Sequence, residues 1–107
     1  MIIKNIFADI PTELQNELFE EILTGSTFKI KRIISRGHAS PEGFWYDQNE
    51  NELVILLRGS AGLRFSEKED LVVLHPGDYI LISQHSKHRV DWTDPDRETV
   101  WLAMYYK

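Results

Sequence analysis

From Phe28 to the end of the chain, short apolar stretches recur about every ten residues, each closed by a turn signal, and this rhythm admits little besides antiparallel sheet. Phe28-Lys-Ile30-Lys alternates apolar and polar, the period of a strand with one wet face. Leu53 to Leu57 is an unbroken apolar run, short enough to be a buried strand. Gly59-Ser-Ala-Gly62 is a turn, after which Leu63-Arg-Phe65 alternates again. Leu71 to Leu74 is the next strand, and His75-Pro-Gly-Asp78 ends it, because proline fixes φ and glycine permits positive φ. Tyr79 to Ile82, Arg89 to Trp92 and Thr99 to Tyr106 follow, with Thr93 to Arg97 as a loop. Many short strands with regular turns predict an all-β sandwich or barrel, and jelly rolls hide their edges in two facing sheets.

The first quarter of the chain carries a different pattern. Ile2 to Phe7 is apolar enough for a short strand. In the segment that follows, Pro11 suits a helix entrance, and Thr12 with Gln15 fits a capping box. Leu14, Leu18, Phe19, Ile22 and Leu23 share one face at helical spacing, with Glu13, Glu17, Glu20 and Glu21 largely off it and Gly25 as a stop. The spacing predicts one N-terminal α-helix over about residues 11–24, packed outside a barrel of residues 27–106, with the acidic run as its solvated face. The 107 residues are the length of a single domain, 1–107.

Charge and composition narrow the partners. Seventeen acidic against twelve basic residues give a net charge of −5, which disfavours phosphate backbones and anionic lipid surfaces, so neither nucleic acid nor membrane is expected as a partner. The basic residues Lys29, Lys31, Arg32 and Arg36 alternate with apolar ones and read as a solvated strand face. The absence of cysteine removes disulfides, zinc–thiolate sites and thiol nucleophiles. The N-terminus lacks the apolar core of a signal peptide, and a cytoplasmic location is expected.

Two ordered pieces of sequence carry more specific information. The first runs from Gly43 through Phe-Trp-Tyr-Asp-Gln-Asn-Glu-Asn to Glu52 and on to Gly59, with six residues between Glu52 and Gly59. The second is Pro76-Gly-Asp78, an apolar strand, a tight turn, then His88. Together, over about residues 30–106, they resemble the two motifs of the cupins, and the phrases Phe-Trp-Tyr-Asp-Gln and His-Arg-Val-Asp-Trp-Thr are similar to those of small single-domain bacterial members. The resemblance implies a double-stranded β-helix, a jelly-roll barrel whose interior is the functional site. It places the family's metal-ligating glutamate at Glu52 and its last histidine at His88. The first two histidines fall on Tyr46 and Gln48, which are departures, as are Ser40, Ser83, His85 and Trp92 at other motif positions.

Two readings of this interior stay open. Gln48, Glu52 and His88 can hold a divalent transition metal, Fe, Mn, Ni or Zn, with open coordination positions, since an amide oxygen, a carboxylate and an imidazole form a mixed N/O set. Without metal, the same groups and Tyr46 would form a hydrogen-bonded network that binds, or acts on, a small polar molecule. Tyr46, Gln48, His85 and Trp92 are the candidate ligand-binding residues: Tyr46 and Gln48 are two apart and face one way, His85 sits on the turn by the barrel mouth, and Trp92 shares parity with His88 and Val90. His38 and His75 read as loop and strand-end histidines, and Asp47 points away from its neighbours on a regular strand. The resemblance, with the apolar excess of Ile2, Ile3, Ile6 and Phe7, predicts a homodimer. Nothing in these residues decides whether the interior catalyses a reaction.

Overall fold

The computed structural model of the chain describes residues 1–67 and 71–107. Eight strands account for the described secondary structure: β1 (Leu18–Thr24), β2 (Phe28–Ser35), β3 (Asn51–Arg58), β4 (Ala61–Phe65), β5 (Leu71–Leu74), β6 (Tyr79–Ile82), β7 (His88–Thr93) and β8 (Thr99–Tyr106). They form a five-stranded sheet in the order β1-β2-β8-β3-β6 and a three-stranded sheet in the order β5-β4-β7, with every named pairing antiparallel. No helix occurs among the described residues, and so none is long and apolar enough to cross a membrane.

The core lies between the two sheets. β8 is central in the larger sheet and pairs with β2 on one side and β3 on the other. Ile33, Val54, Leu56, Ile82, Trp101 and Ala103 of that sheet meet Ala61, Leu63 and Leu74 of the smaller one. The alternation along β3 is clean: Glu52, Val54 and Leu56 are buried while their neighbours are partly exposed. The turn before β6 is closed by the bond from Asp78 N to the His75 carbonyl at 2.9 Å and by His75 N donating to Asp78 Oδ2 at 2.8 Å, with Gly77 at φ 94°. Only glycine takes that conformation without strain.

The expected helix over residues 11–24 is a strand in its second half. Residues 11–17 form no regular element, and β1 pairs along the free edge of β2. The pairing sets Glu20 opposite Arg32 and Glu21 opposite Lys31, and Arg32 binds Glu20 through both Nε and Nη2. Opposite charges across strands, plus a sheet edge that would otherwise lack hydrogen-bond partners, outweigh a modest helix propensity. Ile2 to Phe7 is not a strand either. Arg32 Nη1 instead donates to the carbonyls of Ile6 (2.9 Å) and Ala8 (2.6 Å), and the Arg58 guanidinium lies 4.2 Å from the centre of the Phe7 ring.

Candidate functional site

The site is built where the chain between β2 and β3 crosses the start of β7. Tyr46 and His88 exchange backbone hydrogen bonds, Tyr46 N to the His88 carbonyl at 2.7 Å and His88 N to the Tyr46 carbonyl at 3.1 Å. His85 N adds a bond to the Gln48 carbonyl at 2.6 Å, and Gln84 N one to Asn51 Oδ1 at 3.0 Å. These bonds bring two segments far apart in sequence to one end of the barrel. The Tyr46 and His88 rings then stack, 5.4 Å between centres, and Phe65 tilts against His88 at 5.9 Å.

Gln48, Glu52 and His88 converge there. Glu52, on β3, is 7% exposed and His88, at the start of β7, is 5% exposed. The Gln48 amide donates to Glu52 Oε1 at 3.0 Å, and His88 Nε2 stands 3.7 Å from the same oxygen. His88 Nδ1 is 2.8 Å from the Ser86 carbonyl, which can only accept, so Nδ1 carries a hydrogen and a neutral ring presents its lone pair at Nε2. These three side chains, with Tyr46, line a hollow of about 60 Å³ available to the centre of a water-sized molecule. Apolar walls from Ile33, Val54, Leu63, Ile82 and Val90 and the aromatic rings of Phe19, Trp101 and Tyr105 complete it.

One lining group lies outside the sequence-derived set. Glu17, counted there with the solvated face of a helix, stands immediately before β1 and reaches the hollow. Its carboxylate accepts from the Ser35 hydroxyl, which in turn accepts from Trp101 Nε1 at 3.1 Å. The two carboxylates act on the phenols. Burial pushes the Tyr46 hydroxyl above its ordinary value, with Glu17 and then Glu52 adding to the shift. Burial also pushes Tyr105 well up, helped by Glu52, Tyr46 and Glu17.

Two of the candidate ligand-binding residues do not line the hollow. Trp92 is turned out by a β-bulge: Gly62 pairs with Trp92 but Leu63 pairs with Val90, so Asp91 is an extra residue in β7. The insertion reverses parity, and the Trp92 indole covers the outer side of Gly62, where a Cβ would run into it. His85 is 63% exposed, in a left-handed conformation, and its Nδ1 meets Asp47 Oδ1 at 2.8 Å on the surface. Asp47 faces outward, as alternation with Tyr46 and Gln48 requires. His38 ties a loop through Arg36 N and the Gln15 carbonyl, and His75 is exposed.

A metal entering this interior would meet one imidazole nitrogen, one carboxylate and one amide. Among the described residues no group of three or more His, Cys, Asp or Glu side chains is placed to hold an ion. The donors therefore fit a cation bound with vacant positions and with less affinity than a multi-imidazole set.

No protein-family model matches the sequence, and no curated protein matches it. Among solved structures, the chain is 42% identical to a Ralstonia eutropha JMP134 protein described provisionally as a mannose-6-phosphate isomerase, with a TM-score of 0.96 over 100% of this chain and 99% of that one. A cupin superfamily protein of Desulfitobacterium hafniense DCB-2 aligns at TM-score 0.74 and 15% identity, covering 91% of this chain and 83% of its own. The polyketide cyclase RemF of Streptomyces resistomycificus aligns at TM-score 0.73 and 16% identity, over 86% and 66%. The last two are similar in fold alone.

Proposed function

The chain belongs to the cupin superfamily, and we propose that the hollow inside its barrel binds a small polar molecule at Gln48, Glu52 and His88. One observation carries this reading. Glu52 and His88 are both more than nine-tenths buried, yet they face an open hollow and are not closed into a hydrogen bond with each other. Glu52 Oε1 already accepts from the Gln48 amide, whereas Glu52 Oε2 and His88 Nε2 accept no hydrogen bond from the described residues and are open to a donor, and a hydrogen bond to a charged group is worth about 1.5–3 kcal/mol. A ligand hydroxyl or amine supplies that donor. His88 is held in one tautomer by Ser86 and so can take a proton from the ligand at Nε2, while Glu52 stabilises the resulting imidazolium. The description of the Ralstonia protein as an isomerase of a small sugar phosphate supports a small-molecule site.

A second reading is favoured by the free lone pair of His88 Nε2 opposite Glu52, with Nδ1 anchored on a backbone carbonyl in the way that orients a metal-binding histidine. Gln48, Glu52 and His88 would then hold a divalent metal, whose contribution is to polarise a ligand oxygen as a Lewis acid. NMR titration of ¹⁵N-labelled protein with a panel of small polyols, amines and hydroxy acids tests the first reading. Perturbation at Tyr46, Trp101 and Tyr105, weakened about tenfold or more in a folded Glu52→Gln/His88→Asn variant, is the expected result. Panel members that leave the interior signals in place, or a double variant that binds as tightly, refute it. Elemental analysis decides the second: less than about a tenth of an equivalent of any transition metal after soaking removes it.

A further inference from the structure

We propose that the hollow selects a small organic amine, bound as its ammonium ion, and that Glu17 is the residue that sets this preference. The inference rests on reading the hollow as a small-molecule site and adds the chemical class of what enters.

The first argument is charge. Glu17 and Glu52 approach the hollow from two different strands' ends of the larger sheet, and among the described residues no lysine or arginine lines it. Among the described residues that line it, His88 is the one group able to carry positive charge. An anionic ligand would enter against two carboxylates with at most one imidazolium to meet it, in surroundings where apolar walls leave little screening. Phosphate recognition relies on arginine forks, lysines or clustered backbone N–H groups. The phosphate of the substrate named for the Ralstonia neighbour has no arginine or lysine to receive it among the described residues of the lining.

The second argument is the count of donors and acceptors. Glu52 Oε1 is taken by the Gln48 amide, and Glu17 Oε2 by the Ser35 hydroxyl. Glu52 Oε2, Glu17 Oε1 and His88 Nε2 accept no hydrogen bond from the described residues, and the side chains of Glu52 and His88 are more than nine-tenths buried. Several acceptors without donors around one hollow ask for a group with several N–H bonds. A hydroxyl offers one donor, a primary ammonium three.

The third argument is the wall. Tyr46, Tyr105, Trp101 and Phe19 line the hollow, and aromatic rings attract a cation. The Lys31 ammonium, outside the lining set, already sits 5.5 Å from the Tyr105 ring centre. The hollow's 60 Å³ corresponds to about five non-hydrogen atoms when each takes the space of one water centre.

Three branched four-carbon molecules of about that size separate the possibilities: isobutylamine and isobutanol, with five non-hydrogen atoms each, and isobutyrate, with six, titrated near pH 7, where the amine is charged, against the ¹⁵N-labelled protein. The signals read are the Trp101 indole and the amides of Tyr46 and His88. The amine is expected to bind about tenfold or more tightly than the alcohol, the scale of one charge-assisted hydrogen bond, and the carboxylate more weakly than both. Glu17→Gln, which keeps an oxygen for Ser35, should remove most of the amine's advantage and leave the alcohol unchanged. Equal binding of the three, or a carboxylate that binds best, overturns the selectivity while leaving the small-molecule reading intact. Retained amine preference in Glu17→Gln overturns the role of Glu17. If none of the three reaches the interior signals, the small-molecule reading itself fails. The wild-type comparison stands even if the variant does not fold.

Discussion

Alkaline pH should destabilise this protein through Tyr105, and the size of the effect follows from its surroundings. The phenol is held well above its ordinary value of 10.0, first by burial and then by the Glu52 carboxylate, so the fold favours the neutral form. A raised folded-state value means that the stabilisation is complete below the unfolded value and is lost as pH climbs through the folded one. Above pH 10 the unfolded chain releases a proton that the folded chain keeps, and stability falls. For one such group the loss relative to pH 8 is about 0.4 kcal/mol at pH 10 and about 1.4 kcal/mol at pH 11, from RT ln(1 + 10^(pH−10)). Urea unfolding at a series of pH values between 8 and 11 measures this, with Tyr105→Phe as the reference. Lysines and other tyrosines contribute to both proteins, so the difference between the two curves isolates Tyr105. At the upper end the wild type should lose about 1.4 kcal/mol more than the variant, a midpoint displacement of about 1 M urea at the slopes usual for small proteins. Parallel curves over the whole range would show that Tyr105 is not held neutral in the hollow, and the electrostatic picture of the site would fall with it.

Two further outcomes are expected. Gly62→Ala places a Cβ where the Trp92 indole lies, and should cost about 1–3 kcal/mol in chemical denaturation, while Gly62→Ala combined with Trp92→Ala recovers part of the loss; a single variant as stable as wild type would mean that the indole does not cover that glycine. Ile2 and Ile3 are almost fully exposed and Phe19, Ile22 and Leu23 of β1 about half exposed, so light scattering at micromolar concentration should report a homodimer, and a monomer mass would contradict it.

The strands were legible because their signal is local. β3 is marked by its own run of apolar residues although only alternate ones are buried, and β5, β6 and β8 cover the residues that the sequence assigns to them. The meeting of Gln48, Glu52 and His88 was legible because the two motifs that carry them arrived in order, with matching spacing. What was not legible depends on partners remote in the chain. Residues 18–24 satisfy helical and strand spacing alike, and only Arg32 and Lys31 across the sheet decide for the strand. Trp92 has the parity of an interior residue until the extra Asp91 in β7 turns it out, and nothing in the local sequence announces the bulge. Glu17 was hidden in an acidic run, where only the bond from Ser35 and the path of the chain before β1 separate it from its exposed neighbours.

The crossing of residue 46 over residue 88 has a consequence for how such a barrel can change its chemistry. Both bonds there run between peptide groups, and so does the bond from His85 to Gln48. The side chains of Tyr46, Gln48 and His88 take no part in these three bonds. Replacing Tyr46, Gln48 or His88 therefore exchanges one reagent for another at a fixed address, and the frame that holds them need not be re-solved each time.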